Sequence, residues 1–420
     1  MEAGGFGINE YIKRFILCVC VLAAAVIAGY LLLVLAYLIP TGPMQPNVAK
    51  SCEIFEKEGT YPKKLWNYNS RLDNFTDGSM LLMSSTETDE GAWKAALLAC
   101  TRSLGNQFPN EVLLSIYRDG AEDYNTYAYP RYWQGYMVFV KPLIYLFPYR
   151  TIRLIVLIWQ LMLMGILLHQ TYKHDKRLIF PILGMWVFLN PVASLQSLQF
   201  NTVISITLIF LIFVVAYKGK HDGKDMRKWD IAFLITGCAT SYFDLLTFPV
   251  LSWGVPLAAW LYLCQEDDPK KNILNEIELS FCWGMGYASM WASKWVLASL
   301  ITGENVLTNA SNEAKIWMDA DIPRILKFFY ALVRNCGASV QIVSIVYLLV
   351  LLIRIIMIVR KNRINIKQYL SWLIIMALPF VWYFITVSHA YKHYWYTYRN
   401  MGASIIALHL ILLRLDERQT

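Results

Sequence analysis

Hydrophobic positions along this chain gather into long runs separated by short polar stretches, with one exception. The first run, Phe15 to Leu38, is followed by a polar interruption that lasts from Thr41 to Trp133. After it, apolar runs recur at close spacing: Ile152 to His169, Leu178 to Leu189, Phe200 to Tyr217, Trp229 to Leu245, Val250 to Leu263, Ile277 to Leu300, Val340 to Val359, Tyr369 to Val387 and Met401 to Leu413. A helix crosses a bilayer with about 20 apolar residues, so the pattern predicts an all-α, polytopic transmembrane bundle of about ten spans. The first run is too long for a signal-peptide core and follows Lys13-Arg14, which reads as an uncleaved signal anchor with a cytoplasmic N-terminus. An even span count puts the C-terminus on the same side. The chain divides into the N-terminus with the first span (1–40), a large external loop (41–150) and the bundle with short loops (151–420).

Two stretches of the loop carry their own periodicity. Thr88 to Leu104 sets Trp93, Ala96, Leu97, Cys100 and Leu104 on one helical face, with Thr86 and Asp89 available as N-caps. Gly135 to Phe147 is apolar but short and contains Lys141 and Pro142, which predicts an interfacial or re-entrant helix.

Composition agrees with a membrane protein: 57% of residues are hydrophobic, 16% are charged and the mean hydropathy is +0.40. The formal net charge of +8 invites a nucleic-acid partner. Its distribution excludes one, because the cations sit in short inter-span loops: Lys173 with Lys176-Arg177, the run Lys218, Lys220, Lys224, Arg227, Lys228, then Lys270-Lys271 and Arg360-Lys361 with Arg363. That is the positive-inside signature of a multi-pass plasma-membrane protein. Among the eight cysteines only Cys52 and Cys100 fall in the loop, where they can pair or remain free thiols.

Candidate chemistry clusters at the external side. Arg71-Leu72-Asp73-Asn74-Phe75-Thr76-Asp77-Gly78 offers Asp73 and Asp77 as bases toward a hydroxyl or as oxygen ligands of a divalent cation such as Mg²⁺ or Mn²⁺. The same residues suit a turn and a helix cap. Glu122-Asp123 precedes Tyr124, Tyr127, Tyr129, Arg131, Tyr132 and Trp133, a set that can stack on a sugar or anchor at the interface. Asp244, in Ser241-Tyr242-Phe243-Asp244, is an acid near the outer end of a span, with Lys294 as a candidate partner. The hairpin His389 to Arg399 is basic and aromatic on the external side; Lys392, His393 and Arg399 can clamp a lipid phosphate there or anchor to headgroups. His409, within the last run, suits packing. No P-loop, H-E-x-x-H or G-x-S-x-G sequence is present.

A long first external loop with early acids and interfacial helices, followed by many spans, resembles the GT-C superfamily of integral membrane glycosyltransferases. The phrases Tyr-Pro-Arg-Tyr-Trp-Gln-Gly-Tyr and Ser-Tyr-Phe-Asp-Leu-Leu-Thr-Phe-Pro resemble bacterial proteins of cell-envelope polysaccharide pathways. The resemblance implies a polyprenyl-phosphate sugar donor, a saccharide or lipid-linked acceptor, and an aspartate of the first loop as base, the position matched by Asp73 with Asp77 as alternate. This chain departs from the pattern in the distance from the first span to Asp73, in lacking an H-P-D-E type motif, and in having no C-terminal soluble domain. Rival readings are a transporter or flippase of a lipid-linked saccharide, and a non-catalytic partner subunit.

Overall fold

The chain is helical apart from one short ribbon in a computed structural model that describes residues 8–221, 225–361 and 366–417. Lys224 and Arg363, members of two basic runs, lie outside the described residues. Helix α1 (Ile8–Tyr37) is followed by the loop, which folds into five helices: α2 (Gln45–Glu58), α3 (Asn74–Ser85), α4 (Ala92–Leu98), α5 (Pro109–Tyr117) and α6 (Met137–Leu146). Strands β1 (Thr101–Ser103) and β2 (Asn125–Tyr127) pair antiparallel, with Thr101 opposite Tyr127. The loop is therefore a packed unit. Phe55, Leu81, Met83, Trp133 and Met137 form its core together with Leu33 of α1 and Tyr149.

The bundle follows as α7 (Tyr149–His174), α8 (Ile179–Phe188), α9 (Pro191–Ser194), α10 (Leu198–Lys218), α11 (Met226–Phe243), α12 (Val250–Cys264) and α13 (Pro269–Thr302). Next come α14 (Val306–Met318), α15 (Arg324–Ser339), α16 (Ile342–Lys361), α17 (Leu370–Ile385), α18 (Val387–Lys392), α19 (Tyr394–Thr397) and α20 (Gly402–Glu417). The most extensive helix pair is α11 with α13. Glycine makes it possible: a Cβ on Gly237 would stand 2.1 Å from the Trp283 carbonyl, and one on Gly286 2.2 Å from the Leu234 carbonyl. At their basic ends these helices share Arg14 of α1, whose guanidinium bonds both Asp230 and Glu278.

By length and apolar composition three described helices can cross a bilayer: Ile12–Tyr37, Tyr149–His174 and Leu198–Lys218. A fourth is added if Arg324–Ser339 and Ser344–Met357, bent by 104°, are taken as one. This is fewer than the expected ten. Helix α8 has 10 residues, α12 has 15, and α17 and α20 have 16 each, while α11 carries Arg227, Lys228 and Asp230. At about 1.5 Å per residue the short ones do not reach across about 30 Å of hydrocarbon.

Two local expectations change. The helix expected over Thr88 to Leu104 covers only Ala92–Leu98, because Ala99 turns left-handed (φ 47°) and the next residues join the β ribbon. Helix α15 falls in the gap between expected elements. It buries Lys327, Asn335 and Ser339 and exposes Ile325, Phe329 and Val333. Such an inverted face is stable against lipid, as are the exposed Leu31, Leu32 and Leu35 of α1.

Candidate functional site

Residues Thr60 to Lys63 and Arg71 to Asn74 run side by side. Leu72 N–H donates to Pro62 O (2.9 Å), Asn74 N–H to Thr60 O (3.0 Å), and Lys63 bridges Arg71. In this extended segment side chains alternate, so Arg71 and Asp73 share one face while Leu72 is buried on the other. Asp73 then caps α3, accepting from Thr76 N–H (3.2 Å) and Thr76 Oγ1 (2.9 Å).

One turn on, Asp77 is occupied on all sides. It accepts from the Tyr149 hydroxyl, from Leu198 and Gln199 N–H (both 3.0 Å) and from Ser197 Oγ (3.3 Å). The donors include the first backbone amides of α10, so Asp77 bolts α3 to the positive end of that helix. The Asp73 carboxylate has only Thr76 as a hydrogen-bond partner among the described residues. Burial, then the charge of Asp77, pushes its carboxyl up to about 7, against the opposing pull of Thr76 and Arg71. Asp77 is raised by burial too, and its donors act against that.

Arg71 was passed over in the sequence, yet it stands beside this acid. Its guanidinium carbon lies 5.3 Å from the rings of Tyr68 and Trp395 and 5.7 Å from that of Tyr61, and Nε has no hydrogen-bond partner among the described residues. The signal available was its place two residues before Asp73. Tyr396 closes the site: burial and then the facing charge of Asp73 hold its phenol well above the usual range, and Tyr132, Asp244 and Tyr61 act in the same direction. The charges of Asp73 and Asp244 are thus both felt at the buried Tyr396 phenol.

The other candidates divide. Asp244, at the end of α11, accepts from Thr247 N–H (2.9 Å) and Oγ1 (2.5 Å). Lys294 is not its partner; it donates to Leu97 O (2.8 Å) and holds the end of α4. Arg399 is fully buried and donates to the carbonyls of Leu189, Trp395 and Asn69. His393 stacks on Tyr396, and burial together with the Lys392 charge lowers it to about 4, so it is neutral near pH 7. Lys392 is exposed, 5.4 Å above the Trp317 ring. Asp123 is exposed in the connection that leads into β2. Arg131 pairs with Glu313 (3.1 Å) and reaches the Tyr129 hydroxyl (3.1 Å), Tyr132 stacks on Tyr129, and Trp133 donates to Met290 O (2.6 Å).

Beside Tyr132 lies an apolar recess of about 200 Å³, walled by Tyr287, Trp291, Trp317, Met318, Trp382 and Ile385, with the Arg131–Glu313 pair at its edge. Among the described residues no three His, Cys, Asp or Glu side chains cluster as a metal site. Cys52 and Cys100 are free thiols, and burial pushes Cys52 up to about 11. Comparison with protein-family models, with curated proteins and with solved structures returns no match for this chain.

Proposed function

We propose that this chain is a membrane glycosyltransferase that moves a sugar from a polyprenyl-phosphate donor to a saccharide or lipid-linked acceptor, with Asp73 as base. The observation that carries the reading is the Arg71–Asp73 face: a buried carboxylate near neutral pKa beside a cation ringed by aromatics. Asp73 takes the proton of the acceptor hydroxyl as its oxygen attacks the anomeric carbon. The bond to the donor phosphate breaks and the lipid phosphate leaves with the electron pair, neutralised by Arg71 and the exposed Lys392. In this reading the Trp- and Tyr-walled recess beside Tyr132 receives the start of the prenyl tail. The loop faces outward from the plasma membrane. A divalent cation, Mg²⁺ or Mn²⁺, would share the phosphate charge.

The test is turnover by purified full-length protein with a polyprenyl-phosphate sugar, scored as lipid-phosphate release. Asp73→Asn keeps the cap but cannot accept a proton, so turnover is expected to fall about 10²–10⁴-fold. Arg71→Gln is expected to weaken donor use with the protein still inserted. Normal turnover by Asp73→Asn would remove it as base.

One observation favours transport as the second reading: the 104° break between α15 and α16 is a discontinuous helix of the kind that gates carriers. Movement of a labelled lipid-linked saccharide across liposomes, without release of lipid phosphate, would select it.

A further inference from the structure

A second cavity, of about 590 Å³, opens where α1 ends. It is separate from the Asp73 region: the residues at its side, Thr86 to Glu90, follow the far end of α3, while Asp73 caps the near end, about 20 Å away by helical rise. Its size is that of a small-molecule site.

Two side chains at its base are under-used. Lys141 is only 2% exposed, lies 4.9 Å from the Tyr37 ring, and donates to a single acceptor, Ser84 O (2.8 Å). An ammonium has three donors, so two remain directed at no protein acceptor among the described residues. No carboxylate pairs with it there, although an unpaired buried cation is costly. Burial lowers it to about 8, which leaves it protonated at neutral pH. The buried hydroxyl of Tyr37 also has no hydrogen-bond partner among the described residues. The rim has the opposite sign: Glu87, Asp89 and Glu90 lie within four residues, with Glu90 drawn toward Lys94 (3.5 Å) and Glu87 accepting from Thr41 (3.0 Å). Leu38, which lines the cavity at the end of the first hydrophobic run, is 64% exposed, as suits contact with acyl chains.

We propose that this cavity binds a zwitterion, a phosphate seated on Lys141 and Tyr37 with a primary amine against Glu87 and Asp89. The chemistry is that of phosphoethanolamine, and its two sources are the headgroup of a membrane lipid and the free molecule. The exposed Leu38 beside it favours the lipid. A bare phosphate satisfies only the base of the cavity, and a quaternary amine brings no N–H to the rim.

The experiment uses the full-length chain in phosphatidylcholine nanodiscs. Binding of O-phosphoethanolamine is measured by calorimetry, with inorganic phosphate and phosphocholine as comparison probes. Retention of phosphatidylethanolamine over phosphatidylcholine is measured by native mass spectrometry. Tyr37→Phe, Lys141→Gln and the exposed pair Glu87→Gln with Asp89→Asn are each expected to weaken binding, Lys141→Gln by about tenfold or more. Retention of the lipid without binding of the free molecule supports the headgroup source, and binding of both supports the shared chemistry. Binding of neither to the unaltered chain overturns the proposal. So does equal binding of phosphocholine, or unchanged binding by the rim variant, whose exposed positions do not put folding at risk.

Discussion

Asp73 and Asp77 are one helical turn apart, equal in type and both buried, yet the structure gives them different work. Asp77 is surrounded by donors; Asp73 has Thr76 and the field of its neighbour. A carboxyl that keeps its proton to about 7 when folded, against 3.8 when free, binds more protons in the folded state. Stability from this group is then lost as pH rises from about 4 to about 7 and is flat above, a cost of about 4 kcal/mol at most. Activity that needs the ionised base runs the other way and rises through about pH 7. Asp73→Asn is therefore expected to raise the melting temperature at pH 8 while turnover falls, because it removes the desolvated charge and Asn caps as well as Asp. Melting curves of both proteins at pH 5 and pH 8 check this; a gain equal at both pH values would contradict the assigned shift.

Elements of the loop are held by side chains reaching into the bundle, and Asp77 is the clearest such tie. Asp77→Ala leaves two amides of α10 and the Tyr149 hydroxyl buried without their acceptor. At about 1–3 kcal/mol for each buried polar group so orphaned, the loss is expected to exceed about 3 kcal/mol. Denaturant titration in detergent measures it, and a drop under about 1 kcal/mol would show that α3 and α10 are joined by other means. Arg399 ties the same way, linking Asn69 before α3 to Leu189 after α8. Each guanidinium nitrogen of Arg399 is thus turned to a backbone carbonyl, which fits a structural tie better than a phosphate clamp, and Arg71 takes that part in the proposed reaction.

At the scale of the whole molecule there are two hydrophobic clusters, and the one that holds the loop core also takes in Leu198 of α10, Cys238 and Tyr242 of α11 and Met290 of α13, so the loop is packed onto the bundle. The proposed orientation assigns Gln107, Ser311 and Lys392 to one side of the membrane and Lys220 and Lys270 to the other; all five are exposed. Single cysteines at the first three positions, in a cysteine-free background, are expected to react with an impermeant thiol reagent added to intact cells, and those at the last two are not. The reverse pattern would invert the protein and the side on which its chemistry is placed.

Hydropathy alone determined that the chain is helical and membrane-associated, where most long helices lie, and that the polar loop stands apart, because burial in lipid or protein demands apolar runs of set length. Two patterns misled it. Short apolar runs such as Leu178 to Leu189 satisfy the composition of a span without its length, and α15 turns its polar face inward, so no ordinary periodicity marks it. The first-loop acids were legible as candidates, since carboxylates beside apolar residues are few. Their roles were not: which of Asp73 and Asp77 meets donors depends on where Tyr149 and the start of α10 arrive, more than 70 residues away in the chain. The environment of Arg71 was decided at that level too, by Trp395 meeting Tyr61 and Tyr394 meeting Tyr68. Contacts between distant segments, and the burial they impose on charge, are properties of the tertiary structure that local pattern does not contain.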